Sequence, residues 1–390
     1  MLKSCRRPEI RNLLNFIELP STKKSIGTSI HQTTGAPLSL PLKLGTLLQP
    51  VVWDDDDIYI KITTVLPDSH LLACGTLLLL GQQEEKPILL LWMWPMDKRW
   101  DFKDCKTMYN IDGCQLTDDR NLYNQSDAVL VFHKGIKWDL SNLPPSPRPP
   151  FQKWIWLHVE SPTNTARIPG LEKLFNLTLS YRQDADISVR YDLMVSKKPN
   201  NDFVIPKKDK LLCWFVSNMA TSTGVGTRMK YYNELKNHIN VTIFGGMVGK
   251  RLKDEDYYST MASCKFYLSF ENSIHIDYIT EKINGPLSAG TVPVVLGPPR
   301  ENYDQFTPSN AFIHISDFPD AASLAKYLLQ LDKDDEAYKR YFDWRKHVTA
   351  TPHLIFPYQE FIIYICHACE YIGRYKDYRA AKDLYKWWFS

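Results

Sequence analysis

The sequence predicts an α/β protein with two doubly wound, Rossmann-like domains that face each other across a cleft. Short apolar runs alternate with helical patterns, and the alternation occurs in two sets separated by the polar, proline-containing segment 196–210. A chain of 390 residues is long enough to form two separate hydrophobic cores. Because ligands of open α/β sheets bind beyond the carboxyl ends of the strands, we expect functional residues at those positions.

The first set of strands is predicted at residues 88–93, 127–132 and 153–158. Each run is short and bounded by polar or proline-rich residues, which is typical of buried strands in a parallel sheet. The proline-rich segment 142–150 is predicted to be a surface loop, since a strand pattern resumes directly after it. We assign residues 87–205 to a first domain, preceded by a weakly patterned, stem-like region at residues 1–86.

The second set of elements is assigned to a domain of residues 206–350, followed by a C-terminal segment of residues 351–390. Its strands are predicted at residues 211–216, 241–244, 265–270 and 292–296. Its helices are predicted at residues 228–237, from about 278, at 321–331 and at 335–346. Strands that alternate with helices in this way indicate βαβ units and therefore a parallel sheet.

The composition excludes some classes of protein. The net charge is only +3 and the basic residues form no long run, so bulk attraction to nucleic acid is excluded as the basis of function. The best candidate for a membrane span, residues 71–80, has half of the roughly 20 apolar residues that a bilayer requires. The basic start of the chain is not followed by the apolar core of a signal peptide. We therefore identify no membrane anchor, and we expect any bound anion to be small.

The densest cluster of candidate functional residues follows the third strand of the second set, at residues 269–273 and 277–282. Tyr278, Glu281 and Lys282 have i, i+3 and i+4 spacing, which places them on one face of the predicted helix. The helix start offers free N–H groups to an anion, Lys282 adds a cation, and Glu281 can accept hydrogen bonds from sugar hydroxyls. A solvated Glu/Lys surface has the same spacing and remains the alternative.

Arg228 and Glu160 are the other candidates. Arg228 begins a helix after the glycine-bearing loop 224–226, which can approach phosphate oxygens but lacks the spacing of a P-loop. Glu160 lies just past a predicted strand of the first domain and therefore faces the cleft. Sugar transfer with inversion needs a base on the acceptor hydroxyl and stabilisation of the departing diphosphate, which Glu160 opposite Arg228 and Lys282 can provide. An ordinary surface arginine and an ordinary loop glutamate are the alternatives.

Metal binding is less well supported. The acidic run Asp54–Asp57 contains an Asp-x-Asp pattern that could hold Mn²⁺ against a diphosphate, but a solvated acidic loop is favoured in such a weakly patterned region. Cys366 and Cys369 could form a zinc half-site with Cys105 and Cys114. The spacing between Cys105 and Cys114 is too long for a zinc knuckle, so disulfides are the better explanation.

Cysteines and glycosylation sequons bear on the cellular compartment. The chain has eight cysteines and three sequons, headed by Asn124, Asn176 and Asn240. Both features are compatible with a secretory route. Neither establishes that route alone, because sequons also occur by chance and an even number of cysteines does not require disulfides.

The cluster of candidate residues at 269–273 and 277–282 also carries a family resemblance. Residues 270–282 and 292–298 resemble the α-1,3-fucosyltransferases of animals, which form glycosyltransferase family 10. The likeness covers about residues 88–372 and includes, in chain order, 114–120, 149–156, 160–163, 175–181, 231–235, 300–303 and 341–345. Within the family, the chain looks most similar to the type-9-like enzymes that form the Lewis x structure.

The resemblance implies a fold of the GT-B type and an inverting reaction. The donor would be GDP-β-L-fucose, and the acceptor O3 of GlcNAc in N-acetyllactosamine-type glycans of glycoproteins and glycolipids. No metal would be obligatory, although Mn²⁺ would stimulate. The family also implies a type II protein of the Golgi membrane with a lumenal catalytic domain, but residues 1–86 lack the expected tail, membrane helix and stem.

The resemblance also implies roles for individual residues. Glu160 matches the family's proposed catalytic base, and Arg228 and Lys282 match the cations at the diphosphate. Asn272, Tyr278 and Glu281 match residues around the guanosine and fucose. The implied disulfides tie residues 351–390 back onto the first domain and pair two cysteines within the second: Cys105–Cys366, Cys114–Cys369 and Cys213–Cys264.

Three departures from the family pattern affect the expected activity. Met96-Asp97-Lys98 stands where relatives carry a phenylalanine after Trp-Pro, in the region expected to face the acceptor. Lys134 ends a segment where relatives commonly have His-His-Arg, and lysine cannot reproduce a bidentate guanidinium contact. Gly285-Pro286 falls inside the expected donor helix, which should therefore kink or end there.

Two alternatives to an active, metal-independent transferase remain, and the departures at Met96–Lys98 and Gly285-Pro286 support only the first of them. One is a catalytically impaired family member that binds GDP-fucose or glycans without turnover. The other is a metal-dependent transferase that uses the acidic run Asp54–Asp57, which would lose all activity in EDTA.

Overall fold

A computed structural model of the chain describes residues 85–190, 203–218, 220, 223–350, 360–380 and 383–390, and the backbone of short strands elsewhere. The chain separates into two compact units, residues 1–85 and 86–390. In the first unit, the described backbone forms two antiparallel pairs: Thr46–Leu48 with Ile62–Thr64, and Trp53–Asp54 with Asp57–Ile58. The second unit contains the two large sheets.

The N-terminal sheet has six parallel strands. Their order across the sheet is Ile187–Ser188, Leu177–Ser180, Lys153–Leu157, Ala128–Phe132, Ile88–Leu91 and Gln115–Thr117. The chain reverses its direction of winding between Ile88–Leu91 and Ala128–Phe132. This topological switch point creates a crevice at the carboxyl ends of those two strands.

The C-terminal sheet has five parallel strands and a related topology. Their order is Thr242–Phe244, Lys210–Phe215, Cys264–Phe270, Val292–Leu296 and Ile313–His314. Its switch point lies between Lys210–Phe215 and Cys264–Phe270. The prediction of a two-sheet α/β fold of the GT-B type is confirmed.

Helices connect the strands and cover the faces of both sheets. The α-helices of the described residues are Asp104–Tyr109, Gly226–Leu235, Asp254–Ala262, Glu281–Ala289, Arg300–Tyr303, Ala321–Lys333, Asp335–Lys339, Glu360–Arg374 and Leu384–Trp388. Two short strands, Val195–Ser196 and Thr349–Ala350, pair antiparallel. The helix predicted from residue 278 begins only at Glu281, so the prediction that Tyr278 shares a helical face with Glu281 and Lys282 is wrong.

The helix Glu281–Ala289 continues through Pro286, contrary to the predicted kink or end. A proline has no amide hydrogen, so the carbonyl group of Lys282, four residues earlier, loses its helical partner. The Ser269 hydroxyl replaces that partner and donates a hydrogen bond of 2.7 Å to the Lys282 oxygen. The helix is therefore completed by a side chain from the neighbouring strand.

The C-terminal helices cover both faces of the N-terminal sheet. Helix Glu360–Arg374 packs with Leu89, Leu91 and the other side chains of one face. Helix Leu384–Trp388 packs with Leu90 and its neighbours on the opposite face. Two disulfides, Cys105–Cys366 and Cys114–Cys369, fix the longer helix in place, and Cys213–Cys264 links two strands of the other sheet.

Candidate active site

One cavity lies where loops that follow the carboxyl ends of strands in the two sheets meet. Its volume is about 480 Å³. The N-terminal half contributes Lys134, Glu160 and residues 163–166, and the C-terminal half contributes Asn218, Thr223 and Asn272. The lining is predominantly polar, as expected for a site that binds hydroxyl-rich or charged ligands.

Glu160 occupies the N-terminal wall of this cavity. It follows the strand Lys153–Leu157, and 27% of its side chain is exposed. Its Oε1 atom accepts a hydrogen bond of 2.8 Å from Lys134 Nζ, and its Oε2 atom lies 3.4 Å from the Tyr278 hydroxyl. The structure therefore places the predicted base at the boundary between the two halves, with one contact from each half.

Tyr278 precedes the helix and inserts its ring into the hydrophobic core of the N-terminal sheet. The ring centroid lies 5.2 Å from that of Tyr181. Burial, followed by the charges of Glu271 and Glu160, raises the pKa of Tyr278 well above its usual value. The hydroxyl therefore stays protonated and can donate a hydrogen bond to Glu160.

Lys282 lies at the start of helix Glu281–Ala289 in a network of acidic partners. Its Nζ atom is 3.1 Å from both Glu271 Oε2 and Glu281 Oε1. Burial alone would lower the pKa of Lys282, but the two carboxylates more than offset this effect and raise it. Sequence reasoning did not assign a role to Glu271, which is buried and also accepts hydrogen bonds from Thr280.

Arg228 lies beneath the C-terminal switch point. Its guanidinium donates to the carbonyl oxygens of Asn218, which follows the strand Lys210–Phe215, and of Phe270, which ends the strand Cys264–Phe270. Burial lowers the pKa of Arg228, and the nearby Glu271 carboxylate opposes that shift. Its Nε–H group is buried and has no hydrogen-bond partner in the described residues. Neither Arg228 nor Lys282 lines the cavity directly.

Two loops meet beside the cavity and form a seam between the halves. The Ser161 and Ser273 hydroxyls form a hydrogen bond of 2.5 Å, and Thr163 Oγ1 lies 2.7 Å from His275 Nε2. Asn272, adjacent to this seam, lines the cavity. The seam fixes the Glu160 loop against the loop that leads into helix Glu281–Ala289.

The three sequons differ in accessibility. Asn124 and Asn240 are exposed. Asn176 is fully buried, and its Nδ2 atom donates hydrogen bonds to Tyr378 and Arg379. The prediction of a glycan at Asn176 is therefore incompatible with this fold, because the glycan would replace those contacts and has no space.

The metal-site hypotheses have different outcomes. The cysteines of the suggested zinc half-site, Cys366 and Cys369, form disulfides instead. In the part of the chain with described side chains, no group of three or more His, Cys, Asp or Glu residues is placed to hold a metal ion. The side chains of the acidic run Asp54–Asp57 lie outside the described residues.

In the part of the chain that the structure describes, no helix is both long and apolar enough to cross a membrane.

Comparison with known proteins defines the class to which this fold and site belong. Residues 205–387 match the family described as glycosyltransferase family 10 (fucosyltransferase), C-terminal part. Residues 84–192 match the family described as fucosyltransferase, N-terminal. The chain therefore belongs to glycosyltransferase family 10, the fucosyltransferases.

Individual members of the family are similar to this chain over most of its length. The chain is 46% identical, over 302 residues, to a 4-galactosyl-N-acetylglucosaminide 3-alpha-L-fucosyltransferase 9 of Rattus norvegicus, covering 77% of this chain and 82% of the relative. It is 40% identical, over 314 residues, to a 3-galactosyl-N-acetylglucosaminide 4-alpha-L-fucosyltransferase FUT3 of Bos taurus, covering 79% and 83%. A crystal structure of an alpha1,3-fucosyltransferase with GDP-fucose aligns with a TM-score of 0.49 and 16% identity, covering 76% of this chain and 93% of that one.

Proposed function

We propose that this enzyme transfers L-fucose from GDP-β-L-fucose to O3 of GlcNAc in N-acetyllactosamine-type glycans of glycoproteins and glycolipids, with inversion, to give a Lewis x-type product. The activity for which the 46% identical relative is named supports this reaction and acceptor. The structural observation that carries it is the partly exposed Glu160 carboxylate in a cavity lined by both halves.

The proposed reaction assigns Glu160 the role of general base. Glu160 takes the proton from the acceptor O3 as that oxygen attacks C1 of fucose from the face opposite GDP. The O3–C1 bond forms while the bond from C1 to the phosphate oxygen breaks, and GDP leaves with the electron pair. Attack from the opposite face inverts the configuration at C1.

Arg228 and Lys282 are proposed to stabilise the negative charge of the departing GDP. The unpartnered Nε–H of Arg228 supports this role, because a buried donor of that kind gains a partner when an anion binds. Asn272, Tyr278 and Glu281 are proposed to surround the guanosine and fucose. With two cations at the diphosphate, the reaction needs no divalent ion, and Mn²⁺ acts at most as a stimulant.

The substitution Glu160→Gln tests this reaction. It should lower fucose transfer to N-acetyllactosamine by at least about 100-fold, because the amide cannot accept the proton, while GDP binding stays near normal. The exposed Glu234 offers a matched control, since Glu234→Gln should leave transfer unchanged. Near-normal turnover of Glu160→Gln would remove Glu160 from the base role. Activity that disappears in EDTA would favour the metal-dependent alternative.

The same assay distinguishes an active transferase from a catalytically impaired binding protein, which would release no GDP above background. One departure that favoured the impaired form was Pro286, and the intact helix through Pro286 weakens that case.

We further propose that the catalytic unit resides in the Golgi lumen as part of a type II membrane protein. The three disulfides among the described residues suit an oxidising compartment.

A further inference from the structure

We propose that Lys134 is a positioning residue that orients the Glu160 carboxylate for proton removal. This role rests on the proposed function, since it requires Glu160 to act as the base. Lys134 stood out in the sequence only as a departure from the family pattern, and no binding or catalytic role was assigned to it. The structure places it in direct contact with the candidate base.

Strand register brings the two residues together. Strands Ala128–Phe132 and Lys153–Leu157 are parallel neighbours, and Phe132 pairs with Leu157 at their carboxyl ends. Lys134 and Glu160 follow those ends by two and three positions and therefore leave the sheet at the same edge. Both side chains line the cavity, with 43% and 27% of their surfaces exposed. The strand register therefore brings Lys134 and Glu160 together, without a long surface loop between either residue and its strand.

The two carboxylate oxygens of Glu160 have different partners. Lys134 Nζ lies 2.8 Å from Oε1, a distance typical of a charge-assisted hydrogen bond. The Tyr278 hydroxyl lies 3.4 Å from Oε2, which is too long for a strong hydrogen bond. Lys134 is therefore the dominant constraint on the carboxylate, and Oε2 is the oxygen more available to an acceptor hydroxyl.

Orientation of this carboxylate matters for turnover. A glutamate side chain has three rotatable bonds, and a general base must hold its oxygen within hydrogen-bond reach of the proton. Without Lys134, Glu160 would sample several rotamers within the cavity of about 480 Å³. Since exposed ion pairs contribute little to the free energy of unfolding, removal of Lys134 should change turnover and not stability.

The test compares Lys134→Met with Lys134→Arg and with Lys137→Met, an exposed lysine three residues away outside the cavity lining. Lys134→Met should lower kcat for fucose transfer by about tenfold to a hundredfold, as expected for a misplaced catalytic group, with KM for GDP-fucose within about twofold of wild type. Lys134→Arg should retain most of the activity because it keeps the cation. Lys137→Met should behave as wild type.

A double substitution separates a role through Glu160 from a general structural role. In a Glu160→Gln background, Lys134→Met should cause no further loss of residual transfer, because the group that it orients is already absent. Unfolding midpoints of all variants should match that of wild type. An unchanged kcat for Lys134→Met in an active enzyme, or a loss confined to KM for the acceptor, would overturn the positioning role while leaving fucosyl transfer intact. A wild-type protein without transfer activity would overturn the proposed function and this role together.

Discussion

Gly224 lies where the loop from the C-terminal sheet meets the Glu160 loop. Its φ angle is +78°, and a Cβ atom there would lie 3.0 Å from both the Asn272 carbonyl oxygen and Thr163 Cγ2. Both the backbone conformation and the limited space disfavour a side chain at this position. The glycine therefore allows the loop to approach the cavity residue Asn272 closely.

Gly224→Ala should reduce kcat/KM for GDP-fucose by about tenfold or more, because the new methyl group displaces Asn272 and about 1–2 kcal/mol of strain accompanies a positive φ. Steady-state kinetics with varied GDP-fucose measure this effect. Gly226→Ala provides the control, since a Cβ atom at Gly226 meets nothing within 4 Å. Equal behaviour of the two variants would contradict the proposed close packing at Gly224.

The candidate site was only partly predictable from sequence. Glu160 and Asn272 could be found because each follows a recognisable strand, and such strand ends line ligand sites in α/β folds. Lys134 was noted only as a departure from the family pattern and Glu271 only as part of a cluster, because their roles depend on partners 26 and 11 positions away, at Glu160 and Lys282. No local pattern marks such pairs. The residue spacing predicted that Tyr278 lies on a helix. Asp277, directly before it, has a left-handed backbone conformation with φ of 64°, which a helix cannot accommodate.

The helix Glu281–Ala289 shows how one strand can compensate for a proline in a neighbouring helix. Ser269 is buried, and its hydroxyl supplies the hydrogen bond that the Pro286 nitrogen cannot. Arg345 donates to the Leu287 carbonyl at the other end of the helix. A cation at the carboxyl terminus of a helix is favoured by the helix dipole.

Ser269→Ala should destabilise the protein by about 1–3 kcal/mol, because it leaves the Lys282 carbonyl buried without a partner. Pro286→Ala restores an amide hydrogen at the position that normally bonds that carbonyl. Pro286→Ala should therefore recover most of the lost stability in the Ser269→Ala background. Urea unfolding of the two single variants and the double variant measures the coupling, and strictly additive effects would argue against the compensation.

Strands were predicted more reliably when they were uniformly apolar. Val292–Leu296 was predicted with its observed bounds because it is apolar throughout and closed by glycine. Leu177–Ser180 was missed because it alternates polar and apolar residues although every side chain is buried. Its Thr178 hydroxyl is satisfied by Asp186, a tertiary contact that sequence patterns do not reveal.

Two disulfides close almost the same long loop of the chain. Cys105–Cys366 and Cys114–Cys369 span sequence separations of 261 and 255 residues. Either one alone keeps that loop closed, so their contributions to stability depend on the order of removal. Their pairing came from the family resemblance, since spacing alone could not select among the many pairings of eight cysteines.

Replacing the first of these two pairs with serine should cost about 3 kcal/mol, because the remaining disulfide leaves a ring of only about a dozen residues to be opened. Replacing the second pair as well should cost about 5 kcal/mol more, since it opens the long loop in the unfolded chain. Urea unfolding of both single-pair variants and of the variant without either disulfide gives these values. Equal costs for the first and second removal would contradict this explanation.

Helices Glu360–Arg374 and Leu384–Trp388 cover opposite faces of the N-terminal sheet. The sheet that is synthesised first is therefore the one that completes its folding last. The ribosome makes the strands of this sheet early, but the parts of its apolar faces that these two helices cover stay exposed until residues 360–388 emerge. The buried clusters of the C-terminal sheet contain no described residue beyond Ala350 and can form before translation ends. A late stop codon would therefore spare the second-made sheet and expose the first-made one to aggregation and quality control.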